Sequence, residues 1–225
     1  MSTILTVLEI IGVFSFSISG ALMAIDKEND FFGVLFLAVI TSFGGGMLRD
    51  IFIGNTPPVF FTLYHLVIVS VLTAALVFVL ATVFKRQYVK NERFVEVVNN
   101  YFDAFGLGVF VISGAKICID AGITNPFLIV IMGMLSGTGG SITRDVIMRE
   151  IPALLQKHIY LMAAIFGALL YYVFWRTGVA DLIAVPISTV SIVIIRILTT
   201  ALNWNMPKAI DFSKMSESED NSPSE

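Results

Sequence analysis

Seven long apolar runs, separated by short polar or charged connectors, organise this chain. They cover residues 4–25, 31–55, 59–84, 98–119, 126–149, 157–175 and 179–202. Each is roughly 18 to 26 residues long, enough for an α-helix to cross a hydrocarbon layer about 30 Å thick. None alternates with period 2, which excludes the strands of a membrane β-barrel. Lipid offers the backbone no hydrogen-bond partner, so each run must close its own bonds as a helix. The pattern predicts an all-α membrane protein with seven transmembrane helices.

Composition agrees. Of the 225 residues, 56% are hydrophobic and 14% charged, against roughly 25% charged in an average soluble domain. The net charge of −3 offers no basic surface for nucleic acid. Cys118 is the only cysteine, which excludes an intrachain disulfide and a thiolate metal site. No basic residue precedes the first run, so residues 1–25 read as a permanent span rather than a cleaved leader. Residues 1–205 form one transmembrane domain, and residues 206–225 a polar, acidic tail.

Basic residues set the orientation. The connector KRQYVKNER holds Lys85, Arg86, Lys90 and Arg93. With that loop in the cytoplasm, Lys27, Arg149, Lys157, Lys208 and Lys214 fall on the same side, and Arg176 opposite. The expected arrangement is multi-pass in the cell inner (plasma) membrane, N-terminus outside and C-terminus cytoplasmic.

The chain repeats itself. GVFSFSISGALMAID (12–26) aligns without a gap to GLGVFVISGAKICID (106–120), with eight of fifteen positions identical. The same offset places Glu9 opposite Asp103. After a shift of one residue, SFGGGMLRDIFIGNTP (42–57) meets GTGGSITRDVIMREIP (137–152). Chance similarity between apolar helices shares Leu, Val and Ile, not paired Ser-Gly, Arg-Asp and Pro in order. Repeat one covers about 4–84 and repeat two about 98–175, with the seventh helix outside both. Three spans is an odd number, so the copies are two inverted three-helix repeats. Such proteins hold their pathways at the repeat interface, on interrupted helices.

Two glycine clusters sit at equivalent places: Gly44, Gly45 and Gly46, and Gly137, Thr138, Gly139 and Gly140. Glycine weakens a helix, so the second and fifth spans are expected to kink or unwind near mid-membrane. Released carbonyls would then face water or a cation in a cavity. The alternative is close helix packing, with Gly133 and Gly137 as a GxxxG pair. Neighbouring hydroxyls (Ser42, Thr138, Ser141) favour the pathway reading.

Arg49 and Arg144 lie about 27 Å along their spans, near opposite membrane faces. Adjacent side chains diverge on a helix, so Asp50 and Asp145 are not expected to satisfy them alone. The topology offers Glu9 and Asp120 to Arg49, and Asp26 and Asp103 to Arg144. Lys116 joins the outer group without a charged counterpart in the first copy, where Leu22 stands. Ionisable groups inside a membrane mark functional sites by default. Structural staples are the alternative. Arg196 reads as a buried pair or a side chain reaching the interface, and Pro186 as a kink. His65 and His158 are not equivalent in the repeats, so a metal site is not expected. No P-loop or catalytic triad is present in the sequence, no cofactor is implied, and the chain does not read as an enzyme.

GGGMLRD (44–50) and GTGGSITRD (137–145), each followed by proline within inverted three-helix units, resemble the prokaryotic branch of the trimeric intracellular cation (TRIC) channel family. The resemblance covers about residues 5–203. It implies homotrimers whose protomers each hold a pore between the second and fifth helices and pass monovalent cations, chiefly potassium. Carried onto this chain, Gly44, Gly45, Gly46, Gly137, Thr138, Gly139 and Gly140 would form the pore kinks. Arg49, Asp50, Arg144 and Asp145 would stand beside the pathway. The residue pattern itself, apart from the resemblance, adds Lys116, Asp26 and Asp120 as pathway charges or gates. The Lys-Glu-Val signature tied to lipid binding in animal members is absent here. Related bacterial sequences are also described as glycine transporters. A potassium-permeable channel is the leading expectation, a carrier of a small solute such as glycine the second, and an assembly protein the third.

Overall fold

A computed structural model describes residues 3–156 and 159–202. Every regular element among them is helical: α1 (Thr3–Asp26), α2 (Phe31–Phe52), α3 (Val59–Thr62), α4 (Tyr64–Val83), α5 (Lys85–Lys90), α6 (Glu92–Asp120), α7 (Pro126–Ile147), α8 (Ala153–Gln156), α9 (Ile159–Arg176) and α10 (Asp181–Ala201). Six of these, α1, α2, α4, α6, α7 and α10, are long and apolar enough to cross a membrane. The expected sixth span is α9, whose apolar stretch Tyr160–Arg176 is shorter. The chain is therefore a multi-pass helical membrane protein. The acidic tail, Lys157, His158, Lys208 and Lys214 lie outside the described residues.

Local chemistry sets the helix starts. The Asp30 carboxylate accepts from the Gly33 backbone N–H at 2.8 Å, closing the first turn of α2. Asn125 caps α7 in the same way, accepting from Phe127 N, with Pro126 in the first turn, where a missing N–H costs nothing. The ends of α1 and α6, and of α2 and α7, share a left-handed turn: Glu28 (φ 56°) matches Gly122 (φ 82°), and Arg149 (φ 57°) matches Gly54 (φ 72°). A side chain at such a φ costs about 1–2 kcal/mol, less what glycine loses by its freedom in the unfolded chain. Arg149 is exposed. Arg149→Gly is therefore expected to raise stability by roughly 0.5–1 kcal/mol, read as a higher midpoint of thermal unfolding in detergent.

At the centre, α1, α2, α6 and α7 pack against one another. Helix α4 leans on α1 and α2, while α9 and α10 cover α6 and α7. The apolar core divides along the same line. Ala21, Ala24, Val34, Leu37, Ala38 and Ala74 fill one unit, and Leu107, Ile112, Ile129, Tyr160 and Ile192 belong to the core of the other. Outward-facing Phe32, Phe36, Leu72, Leu76, Ile187 and Val190 are exposed, as expected of a surface solvated by lipid tails.

Lys27 after α1 pairs with Glu150 after α7. The carboxylate's hydrogen bond raises the Lys27 pKa above its ordinary value. Asn29 Nδ2 lies 3.8 Å from Met148 Sδ beside them. These two connectors therefore lie at the same end of the bundle, as the basic-residue pattern requires. At the opposite end, Lys116 of α6 reaches Asp181 at the start of α10 at 2.7 Å.

The glycine clusters do not unwind their helices, one of the two expected outcomes, and they make the close packing read as the alternative. Helices α2 and α7 run unbroken through residues 44–46 and 137–140. Nothing unwinds there, so the expected break with released carbonyls is corrected. Intrahelical hydrogen bonds are worth keeping where no water replaces them, and the glycines serve packing instead. A Cβ on Gly45 would fall 2.1 Å from the Ser136 carbonyl oxygen, and one on Gly140 2.0 Å from that of Thr41. Under the repeat alignment these are the same contact made twice, in exchanged roles.

Candidate functional site

The two Arg-Asp pairs build two buried polar clusters near opposite ends of the bundle. Each arginine folds back onto the next residue, which for Arg49 departs from the expectation, while Arg144 takes further partners as expected. Arg49 donates to Asp50 Oδ1 from Nε at 2.9 Å and from Nη2 at 2.7 Å. Arg144 meets Asp145 Oδ1 from Nε at 2.9 Å and Nη2 at 2.8 Å. The guanidinium stem is long enough to curl toward its neighbour, which Cβ directions alone do not reveal. Each aspartate's second oxygen accepts a backbone N–H from the following short helix, Val59 at 2.8 Å and Ala153 at 3.1 Å. The aspartates thus tie the arginines to the loops that reverse the chain.

Beyond the self-pairing, the predicted partners divide. Asp103 lies 3.9 Å from Arg144 as expected. Glu9 lines one cavity with Arg49 and Asp50. Asp26 is exposed and makes no ion pair with Arg144, and Asp120 pairs with Lys116 at 3.3 Å rather than with Arg49. Both stand at helix ends, where water competes for them. Lys116 also carries the 2.7 Å contact to Asp181, so it fastens α6 to α10.

Each copy places a serine beside the other copy's arginine, but only one of the two bonds it. Arg144 Nη1 donates to Ser19 Oγ at 2.9 Å, and Ser19 donates to Asn99 Oδ1 at 2.7 Å. Ser113, the counterpart of Ser19, lines the cavity beside Arg49. Between the clusters, Ser17 Oγ lies 2.9 Å from Ser42 Oγ and 2.8 Å from Ser70 Oγ, all buried. Thr138 donates to the Met134 carbonyl within its own helix at 2.9 Å.

Sequence reasoning undervalued Arg196. It comes from α10, outside the duplication, yet lies 3.5 Å from Asp103 Oδ2 and 4.1 Å from the centre of the Tyr160 ring. Of its two readings, a buried pair or a side chain reaching the interface, the structure has the pair, and that pair completes the Arg144 cluster. A lone arginine in an apolar run was the available signal; its partners lie 93 and 36 residues away in sequence. Among the described residues, no group of three or more His, Cys, Asp or Glu side chains is placed to hold a metal ion.

Fold and site together define a multi-pass helical membrane protein with paired buried charge clusters. The protein-family model described as "Glycine transporter" matches residues 6–82 and 100–176. The UPF0126 inner membrane protein YadS of Escherichia coli K12 is 34% identical over 203 residues, spanning 88% of this chain and 92% of its own. A UPF0126 membrane protein of Deinococcus radiodurans is 39% identical over 163 residues, 72% of each chain. Among solved structures, a prokaryotic TRIC channel crystallised in 0.5 M KCl is 33% identical, with a TM-score of 0.81 over 92% of this chain and 100% of that one. The TRIC trimeric intracellular cation channel orthologue from Rhodobacter sphaeroides is 27% identical, TM-score 0.81, covering 90% and 100%. The chain belongs to this family, that of the UPF0126 membrane proteins and the prokaryotic TRIC channels.

Proposed function

We propose that this protein is a potassium-permeable monovalent cation channel, a homotrimer in which each protomer carries its own pathway along the α2–α7 interface. The observation that carries this reading is the full-length likeness to TRIC cation channel structures at 31% and 33% identity. One relative of the same fold is described as trimeric, and the exposed apolar faces of α4 and α10 offer surface for lipid and for neighbouring protomers.

The finer architecture goes with it: seven spans in two inverted repeats, N-terminus outside. Tyr160 of α9 meets Arg196 near the C-terminal end of α10, and Tyr171 of α9 donates to Asp181 at the α10 N-terminus at 3.1 Å. Contacts at both ends support α9 as the remaining span. The two stretches matched by the family model are offset by 94 residues (100 − 6), the offset of the sequence duplication. The exchanged glycine contacts support a pseudo-two-fold axis between the copies.

In this reading the buried hydroxyls Ser17, Ser42 and Ser70 join α1, α2 and α4 on the side of α2 away from α7 and support the wall of the path. The backbone contacts at Gly45 and Gly140 form its constriction, and the Arg49 and Arg144 clusters stand at its two ends as gates. Arginines held against carboxylates suit gates better than a selectivity filter, because a free positive charge would repel the permeant ion. A second reading, a carrier for glycine, is favoured by the family model's description alone. Broken helices, which alternating access often uses, are missing from α2 and α7.

Purified protein in proteoliposomes separates the two. The channel reading expects potassium flux that does not saturate with substrate, and unitary currents in planar bilayers reversing near the potassium equilibrium potential. Saturable glycine uptake without such currents would replace it with the carrier.

A further inference from the structure

The two charge clusters share an Arg-Asp pair, a second carboxylate and a serine at equivalent positions, but one contains a cation the other lacks. In the Arg144 cluster every charge is paired. Asp103 Oδ1 accepts from Ser141 Oγ at 3.1 Å and lies 3.9 Å from Arg144. Its Oδ2 lies 3.5 Å from Arg196. Two arginines face two carboxylates (Asp103, Asp145), a sum of zero.

The Arg49 cluster has Glu9 in place of Asp103 and Ser113 in place of Ser19. It has no counterpart of Arg196, because α10 belongs to neither copy. Arg49 is committed to Asp50 by two hydrogen bonds, and the sum with Glu9 ionised is −1. Among the described residues, Glu9 Oε2 and Ser113 Oγ have no hydrogen-bond partner. Glu9 is only 6% exposed and Ser113 1%. Both line a cavity of about 40 Å³ that Ser42, Gly46, Arg49 and Asp50 also border, with Phe43, Phe60 and Phe110 as apolar wall. A buried carboxylate oxygen and a buried hydroxyl that face one cavity, neither with a hydrogen-bond partner, leave lone pairs open to a ligand, and the carboxylate favours a positive one.

We propose that this cavity binds one small monovalent cation through Glu9 Oε2 and Ser113 Oγ, where the opposite cluster uses the tethered guanidinium of Arg196. Charge sets the valence: one positive charge brings the cluster to zero, whereas a divalent ion would leave +1 in a low-dielectric site. Oxygen-only ligands select hard cations such as potassium, sodium or ammonium. The space exceeds the roughly 10–15 Å³ that one water needs, room for an ion with a partial water shell. The site deepens the channel reading and rests on it for its role in conduction, as a stop at the Arg49 end of the path. The two ends are then unequal, since at the Arg144 end an ion must compete with Arg196 for Asp103.

Two measurements on the full chain test this. Crystals equilibrated in thallium(I) should show an anomalous peak between Glu9 and Ser113 that Glu9→Gln, which keeps the shape and removes the charge, abolishes. In detergent, potassium but not choline should raise the melting temperature of the wild type. Glu9→Gln should weaken the apparent potassium affinity about ten- to a hundredfold, the loss of one charged contact. Should that variant fail to fold, Ser113→Ala should weaken it several-fold. A folded wild type with neither peak nor potassium dependence overturns the site, even if currents are recorded. So does an unchanged potassium response in Glu9→Gln. A peak with the expected variant effects, in a protein that passes no potassium, keeps the site and overturns the channel reading.

Discussion

Gly45→Ala is expected to destabilise the folded protein by about 3 kcal/mol, the upper range for forced overpacking, while Gly46→Ala next to it is nearly neutral. The added Cβ at Gly45 would lie 2.1 Å from the Ser136 carbonyl oxygen and 2.8 Å from its carbonyl carbon. Those atoms belong to a helix backbone and cannot turn away as a side chain would. Helices α2 and α7 would have to separate along their shared seam, forfeiting dispersion contacts on both sides. Gly140→Ala should behave alike, its Cβ meeting the Thr41 carbonyl oxygen at 2.0 Å. At Gly46 the nearest atom is Arg49 Nη2 at 3.7 Å, an ordinary contact, and alanine is the better helix former. Unfolding of the three variants in detergent, followed by loss of helical signal, gives the comparison. Equal stability of Gly45→Ala and Gly46→Ala would show that the helices do not touch there.

Asp145→Asn is expected to cost about 3–5 kcal/mol, the range for breaking a buried ion pair by removing one partner. The asparagine can still accept from the Ala153 N–H, so the loss reports charge. Two arginines, Arg144 and Arg196, would share one carboxylate, Asp103, leaving +1 where Arg144 is 4% exposed and Arg196 3%. Asp50→Asn should cost less, because Glu9 remains to balance Arg49: the side chains of the cluster move from −1 to zero, and a bound cation is free to leave. Adding Arg196→Met to Asp145→Asn restores neutrality, so the double variant should recover part of the stability. The coupling energy of that cycle is the measurement. Strict additivity, or an Asp50 cost equal to that of Asp145, would mean that the two clusters are not the unequal structures derived above.

Much of this was legible in the chain. Apolar run lengths located the helices to within a few residues at most ends, because a helix in lipid must be as long as the layer it crosses. The exceptions are α6, which begins at Glu92 rather than near 98 because its first turns are polar and hydropathy cannot see them, and the run 59–84, which divides at Leu63 into α3 and an α4 that begins at Tyr64. The duplication identified equivalent residues before any coordinates, so Asp103 could be assigned to Arg144. It failed at Asp26 and Asp120, where a matching position in the repeat does not ensure a matching depth, and at the glycine clusters. Helix propensity is a local quantity of about 1 kcal/mol per glycine. Whether glycine loosens a helix or admits a neighbour depends on what stands opposite.

The sequence by itself determined the membrane class, the helices, the duplication and the residue types at both charged ends. These follow from hydropathy, from backbone hydrogen bonding in lipid and from recurrence, all read along one dimension. Only the tertiary structure decided that Gly45 and Gly140 interlock, that each arginine pairs with its neighbour, and that Arg196 completes one cluster and leaves Glu9 unmatched in the other. Those outcomes depend on distances between helices that are far apart in the chain. Pairing of charges and contact of backbones are properties of the assembled bundle.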